Sequence, residues 1–251
     1  MEKKSKVMKK MYPDWYFKYY DNIFKRNTYL EEISSVNLTY PLKDKVVLEI
    51  GSGKGYHAEE IIKLTPKTLI LIDYQKEAFN ILKNKFKYNS IIKPIMADAF
   101  NLSLRKKADI AIIFFSVLPQ VSTKCELQNR IRHIFNNLLK PNGVLAFEYI
   151  DYEKSIRVYH ENQKSLLINN DEIEVYIKSS YLNDTILIKY FGTLNEIQLN
   201  YEICLLRLNN SIIEVIAKEL GLEQFDNISF DKEERRRMTF LRRPATNIVY
   251  K

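Results

Sequence analysis

The segment Val46-Val47-Leu48-Glu49-Ile50-Gly51-Ser52-Gly53-Lys54-Gly55 constrains this chain more than any other. An apolar run ends on an acidic residue, and glycines then fall at alternate positions. A helical pattern follows from Ala58 to Leu64. The pattern predicts a buried strand, a tight turn and a helix start. Glycine at the turn permits positive φ and lets a ligand lie against the main chain. The free N–H groups at the helix start favour a polar or anionic ligand end. Dinucleotide binders prefer G-x-G-x-x-G, whereas the spacing here is G-x-G-x-G. No G-K-[ST] follows, so a phosphate-binding P-loop is excluded.

The rest of the first half repeats the strand–helix rhythm. Strands are predicted at Thr68–Ile72, Ile92–Met96, Asp109–Phe114 and Val144–Tyr149, with helices at Glu77–Lys87 and Lys124–Leu139. Lys140-Pro141-Asn142-Gly143 reads as a turn. Continuous apolar strands imply a parallel sheet covered on both faces. Ligands then bind at the carboxyl ends of the strands. Before the first strand, Tyr12–Val36 reads as a helix rich in aromatics, suited to a lid or pocket wall. After the fifth strand the rhythm changes. Glu172–Ser180, Thr185–Phe191 and Glu196–Cys204 read as an antiparallel insertion, with turns at Asn183-Asp184 and Gly192-Thr193. Ser211–Leu220 reads as a helix, and Leu222–Phe230 and Asn247–Tyr250 as two last strands. The expected organisation is a helical lid over 1–40, a ligand-binding core over 41–150, an antiparallel insertion over 151–205, and completion of the core by 206–251.

Composition narrows the setting. The chain has 251 residues, 46% of them hydrophobic, enough for one domain with an insertion. No apolar run reaches the roughly 20 residues that span a bilayer, and the lysine-rich start lacks the apolar region of a secretory signal. No membrane association is expected. Cys125 and Cys204 have no metal-ligand spacing, so no metal is expected and a reducing cytoplasm is the natural compartment. The net charge of +8 favours acidic partners. Part of it lies in Arg235, Arg236, Arg237, Arg242 and Arg243, read as a loop between the last two strands that either meets a diphosphate or is solvated.

The Glu49–Gly55 stretch resembles motif I of the class I S-adenosylmethionine-dependent methyltransferases. Asp73 follows Gly51 by 22 residues at the end of the second strand, where a carboxylate accepts both ribose hydroxyls. Asp98-Ala99-Phe100 ends the third strand, where the family's acidic residue takes the adenine amino group. Leu138–Gly143 resembles the family's turn before strand five, with Asn142 in place of one glycine. The resemblance implies a seven-stranded Rossmann-like α/β sheet. It also implies S-adenosylmethionine as cofactor, bound by Glu49, Gly51, Ser52, Gly53, Gly55, Asp73, Tyr74, Asp98, Ala99 and Phe115.

The substrate class follows from further resemblance. No N/D-P-P-Y/F stands after the fourth strand, and neither cysteine follows proline, which argues against a nucleic acid target. Tyr12, the Tyr20-Asp21 pair and Tyr29 resemble the sugar methyltransferases that act on nucleotide-linked amino sugars. The resemblance implies that Tyr20 and Tyr29 close over the cofactor and that Tyr12 faces a nucleotide-diphosphate sugar. Gln120 stands where that family carries histidine; an amide takes no proton, so it orients a hydroxyl. Glu148 points to the expected substrate mouth, to hold an amine or hydroxyl, and His160 is a candidate base. His57 reads as structural or next to the cofactor, and His133 as structural. A homodimer is compatible with this reading. Methylation of another small metabolite, and of RNA on the strength of the basic charge, stay as alternatives.

Overall fold

The computed structural model describes Pro13, Phe17, Asp21 and residues 28–159, 173–194 and 197–244. Seven strands form one sheet: β1 (Val46–Ile50), β2 (Thr68–Asp73), β3 (Ile92–Met96), β4 (Ala108–Ile113), β5 (Leu139–Ile150), β9 (Glu223–Ser229) and β10 (Arg236–Arg242). Their order is β3-β2-β1-β4-β5-β10-β9. The first five run parallel, and β10 is antiparallel to both β5 and β9. A smaller antiparallel sheet holds β6 (Ile173–Leu182), β7 (Thr185–Leu194) and β8 (Ile197–Leu206) in that order.

The helices are α1 (Tyr29–Thr39), α2 (Tyr56–Lys63), α3 (Lys76–Lys85), α4 (Lys124–His133), α5 (Tyr152–Tyr159) and α6 (Asn210–Glu219). They explain why the strands read as unbroken apolar runs. Val47, Leu69, Leu71, Ile110 and Ile112 pack with Ile33 and Val36 of α1, Ala58 and Ile61 of α2 and Leu82 of α3. Their neighbours Leu48, Ile70, Ala111 and Ile113 pack on the other face with Leu127 and Ile131 of α4 and Ile213 and Ile216 of α6. Alternate residues thus bury on opposite faces, and both faces are covered.

Chain direction reverses between β1 and β4. From β1 the chain steps outward to β2 and β3, then crosses back to β4 and on to β5. Loops leaving β1 and β4 turn to opposite faces, and the crevice between them is where open α/β sheets bind ligands.

Four expectations are corrected. The last described strand is Arg236–Arg242, so the arginine run is sheet, while Asn247–Tyr250 lies outside the described residues. Alternation explains it: Met238 and Phe240 are fully buried against the α1–α3 face, which outweighs the flanking charge. Lys140-Pro141-Asn142-Gly143 is no separate turn but a bulge inside β5, opposite Asp109 between the Ala108–Leu139 and Ile110–Val144 pairs. Gly192 and Thr193 are paired on both sides within β7, so they do not turn the chain. Of the long N-terminal helix, the continuous described part is α1, ending at Thr39 rather than Val36.

The small sheet joins the large one at its carboxyl edge. The Leu206 N–H donates to the Pro119 carbonyl at 2.9 Å, Tyr152 N–H to the Leu208 carbonyl at 3.0 Å, and Asp151 bridges to Leu208. The end of β8 therefore lies against the loop after β4.

Candidate active site

All three glycines of the first loop have positive φ: +76° at Gly51, +51° at Gly53 and +75° at Gly55. Two of them are required by packing as well. A Cβ on Gly55 would stand 2.7 Å from Leu82 Cδ2 and 2.9 Å from Phe86 Cε2, and one on Gly51 would stand 2.9 Å from Val117 Cγ2. A Cβ on Gly53 would meet no atom within 4 Å. The loop is thus clamped at both ends and open in the middle, a cradle for a ligand. Gly55→Ala is expected to cost about 2–3 kcal/mol through overpacking and backbone strain, read as a lowered thermal midpoint by circular dichroism.

Asp73 closes this cradle from the β2 side. Its Oδ2 accepts the Gly53 N–H and its Oδ1 the Gln75 N–H, each at 2.9 Å. The Tyr74 N–H bonds the same carboxylate, and with about four acceptor sites the group keeps capacity for a ligand hydroxyl. Burial pushes the Asp73 carboxyl above the usual range; the backbone N–H bonds from Gln75 and Gly53 offset part of this, and the charge of Glu49 adds to it. Ser52 is buried and bonds the Glu49 carbonyl at 3.1 Å, stabilising the turn itself.

The expected adenine end is built on β3. Asp98 caps a 3-10 turn, Ala99–Asn101, accepting from Phe100 N–H at 3.1 Å and the Asn101 amide at 2.7 Å. Ala99 is buried. Tyr74 is half-buried within the fields of Asp73, Asp98 and Arg130, and burial raises its phenol. Arg130 of α4 stacks 4.4 Å over the Phe100 ring and donates to the Val117 and Leu118 carbonyls at 3.4 and 3.1 Å. It ties this end to the loop after β4.

That loop turns abruptly. Phe115 and Ser116 have φ of +54° and +53°, unusual for residues with side chains. Glu148 holds the turn: its Oε2 accepts the Phe115 N–H at 2.9 Å. Its Oε1 accepts from Arg236 Nε at 2.9 Å, and Arg236 Nη2 continues to Glu32 Oε1 at 3.0 Å. Glu32 Oε2 meets His57 Nε2 at 2.7 Å, and His57 Nδ1 stands 3.6 Å from Glu49 Oε1. Glu32, Glu49 and Glu148 are 1%, 2% and 2% exposed, so these charges persist only because they are paired. The His57 ring stacks on Phe114, centroids 3.6 Å apart. Burial alone would lower the His57 pKa, but hydrogen bonds and charge from Glu32 and Glu49 hold it above the ordinary value.

The N-terminal segment meets the same loop. Asp21 pairs with Lys54 at 2.8 Å. Tyr29 stacks on Tyr56 and lies edge-on to His57, with both centroid distances 5.0 Å, and stands 6.5 Å from Phe115.

The structure therefore brings together Tyr29, Glu49, Gly51, Ser52, Gly53, Gly55, Asp73 and Phe115, with Tyr74, Asp98 and Ala99 at the β3 side. Gln120 lies half-buried in the β4 loop, its N–H donating to the Val117 carbonyl. Tyr12, Tyr20 and His160 lie outside the described residues. Glu148 is almost wholly buried and braces the Phe115 turn from within. The arginine cluster is corrected in its placement, on β10 and its flanks rather than in a loop, and each of the five has a partner within the chain. Arg235 pairs with Glu233, Arg236 with Glu32 and Glu148, Arg237 with Glu234, Arg242 with Glu223, and Arg243 donates to Asn136. Sequence reasoning missed Glu32, Arg236 and Arg130. Only the Arg236-Met238-Phe240 alternation signalled that Arg236 points to the covered face.

The residues fit the donor that the resemblance implies. Gly53 leaves open space beside the Asp73 acceptors, and Glu49 Oε2 is a buried polar atom with no hydrogen-bond partner among the described residues.

Comparison with known proteins agrees. The profile of the Methyltransferase domain family matches residues 41–197, more than half of the chain. Among curated proteins, ribosomal RNA small subunit methyltransferase A of Persephonella marina is 35% identical over 77 residues, 31% of this chain and 29% of that protein. The same enzyme of a Sulfurihydrogenibium species is 29% identical over 82 residues, 33% of this chain and 31% of its own length. The chain thus spans about a third of the length of the curated relatives it matches. Among solved structures, the sugar N-methyltransferase KedS8 from a Streptoalloteichus species superposes with a TM-score of 0.75 at 13% identity, over 97% of this chain and 98% of that one. An S-adenosylmethionine-dependent methyltransferase from Clostridium acetobutylicum gives 0.72 at 18% identity, over 91% and 97%. At these identities the likeness is one of fold. Joined to the family match over the glycine loop, Asp73 and the β4 turn, it assigns the chain: it belongs to the methyltransferase domain family and has the class I fold of S-adenosylmethionine-dependent methyltransferases.

Proposed function

We propose that the enzyme moves the donor methyl group to a nitrogen or oxygen of a nucleotide-linked sugar. The observation that carries this reading is the enclosure of the β1 and β4 strand ends from two sides. Tyr29 of α1 packs on Tyr56 and His57, and the end of β8 is bonded to Pro119 in the β4 loop. Such enclosure suits a small acceptor better than a polymer strand. The near full-length superposition on the sugar N-methyltransferase KedS8 supports it.

S-adenosylmethionine supplies an activated methyl: the acceptor lone pair forms the new bond, the carbon–sulfur bond breaks, and its electron pair stays on sulfur. The chain's own task is then placement and exclusion of water. Glu49, Asp73, Tyr74, Asp98 and the glycine loop hold the donor. Glu148, through Phe115, sets the loop that separates donor from acceptor. Gln120 orients an acceptor hydroxyl, with Tyr12 facing the sugar and Tyr20 closing over the donor. A neutral amine needs no base, and a hydroxyl acceptor would call on His160.

A panel of nucleotide-linked amino and neutral sugars incubated with methyl-labelled donor tests this. Label is expected in at least one sugar, and no transfer across the panel contradicts the reading. RNA is the second reading, favoured by the +8 charge and the local matches to ribosomal RNA enzymes. Transfer to RNA but not to sugars, with steeply salt-dependent binding, would select it.

A further inference from the structure

We propose that Glu32 and His57 are positioning residues for the donor: they hold Glu49 in place as the anionic partner of its ammonium group. The inference rests on the reading of Glu49 as a donor-binding residue and adds how the protein keeps it ready.

Glu49 ends β1 two residues before Gly51 and is almost wholly buried. One of its oxygens faces His57 Nδ1, and the other has no hydrogen-bond partner among the described residues. A buried carboxylate in that state is costly unless a cation is near. Inside the protein that cation is the imidazolium of His57. Both ring nitrogens face carboxylates, Nε2 toward Glu32 at 2.7 Å and Nδ1 toward Glu49 at 3.6 Å. A carboxylate beside each nitrogen favours a proton on each, hence a charged ring. The remaining surroundings are aromatic: Phe114 stacked, Tyr29 edge-on and Phe115 tilted. Behind Glu32 stands Arg236. Burial works against the charged ring, so its charge depends on the two carboxylates. Without Glu32 the balance tips to neutral imidazole, and Glu49 loses its counter-ion. Through Glu32, α1 thereby sets the charge of His57 and with it the surroundings of Glu49.

Two ligands separate this role from general support. S-adenosylhomocysteine carries the amino-acid end, and 5′-methylthioadenosine lacks it. By calorimetry, Glu32→Gln is expected to weaken S-adenosylhomocysteine about tenfold, on the order of 1.4 kcal/mol, and 5′-methylthioadenosine less than twofold. Long-range proton–nitrogen correlation spectra, readable with only three histidines, should show His57 charged at pH 7.5 in the wild type and neutral in the variant. Equal weakening of both ligands, no weakening, or a ring that stays charged would overturn the proposal. If Glu32→Gln does not fold, His57→Gln must give the same selective loss, and an unselective one overturns it. Glu49→Gln tests the underlying reading separately. Should it spare the ratio of the two affinities, Glu49 is not the ammonium partner; should it change the ratio while Glu32→Gln does not, only the positioning role fails.

Discussion

Replacing Arg236 by methionine is expected to cost about 3–5 kcal/mol of stability. Methionine keeps most of the apolar stem but leaves buried Glu148 without a cation and buried Glu32 with His57 alone. Glu148 and Glu32 both use this guanidinium, at 2.9 and 3.0 Å. Removing one partner of a buried ion pair strands the other, and stranded charge is what makes such substitutions severe. Arg236 is about a quarter exposed, with side-chain accessibility of 26%, so water relieves part of the penalty. For a domain of this size the thermal midpoint should fall by roughly 10 °C. Arg236→Lys should recover only part, because an ammonium cannot serve both carboxylates with the planar guanidinium fork. A further consequence separates this network from ordinary surface pairs. Glu148 holds Phe115, so the variant should weaken S-adenosylhomocysteine even at temperatures where it is fully folded. Thermal melts with calorimetry on the same preparation check both parts. A drop below about 1 kcal/mol, typical of an exposed pair, would place Arg236 outside the buried network.

Asp73→Ala is expected to reduce affinity for S-adenosylhomocysteine about 100-fold or more. A ribose diol placed on this carboxylate gains two charge-assisted hydrogen bonds, each worth about 1.5–3 kcal/mol. The same substitution leaves the Gly53 and Gln75 N–H groups without their acceptor, which loosens the cradle as well. Burial raises the Asp73 pKa, ahead of the offsetting backbone hydrogen bonds. The sign of the pH effect follows. Affinity should be full at neutral pH and decline as pH falls through that raised value, because the protonated carboxyl accepts less well and turns one oxygen into a donor. Folding responds the opposite way. An acid whose folded pKa is raised binds its proton better when folded, so its contribution to stability without ligand is greatest at low pH and declines as pH rises through the folded value. Calorimetric titration between pH 4 and pH 8, beside chemical denaturation at the same values, distinguishes the two trends.

Much of this architecture was legible because it depends on local pattern. Alternating strand and helix periods, with apolar strands throughout, announce a covered parallel sheet, and β1 and β3 fall where the periodicity places them. The glycine spacing and Asp73 are close in sequence to the elements that aim them, so the cradle could be read as well. The polar network could not. Glu32 lies 25 residues before His57, and Arg236 lies 88 after Glu148, and nothing in either neighbourhood marks the partner. Arg235-Arg236-Arg237 looks like solvated loop because charge is normally excluded from strands between two neighbours. Here both Arg236 and Arg237 pair with acids while Met238 and Phe240 enter the core. Glu148 falls near the end of β5 as expected, but its bond to the Phe115 N–H was not legible, since a left-handed turn presents that N–H to it. The bulge at Lys140–Gly143 carries the residues of a turn and does part of a turn's work, but the flanking pairs with β4 keep it in the sheet.

The central claim is that the donor lies where β1 and β2 end, with its ribose on Asp73. Crystals of the full chain grown with S-adenosylhomocysteine test it most directly. Adenosyl density is expected beside Gly53, with both ribose hydroxyls about 2.6–3.0 Å from the Asp73 carboxylate. A ligand bound elsewhere on the protein, or one in this crevice whose ribose turns away from Asp73, would contradict it.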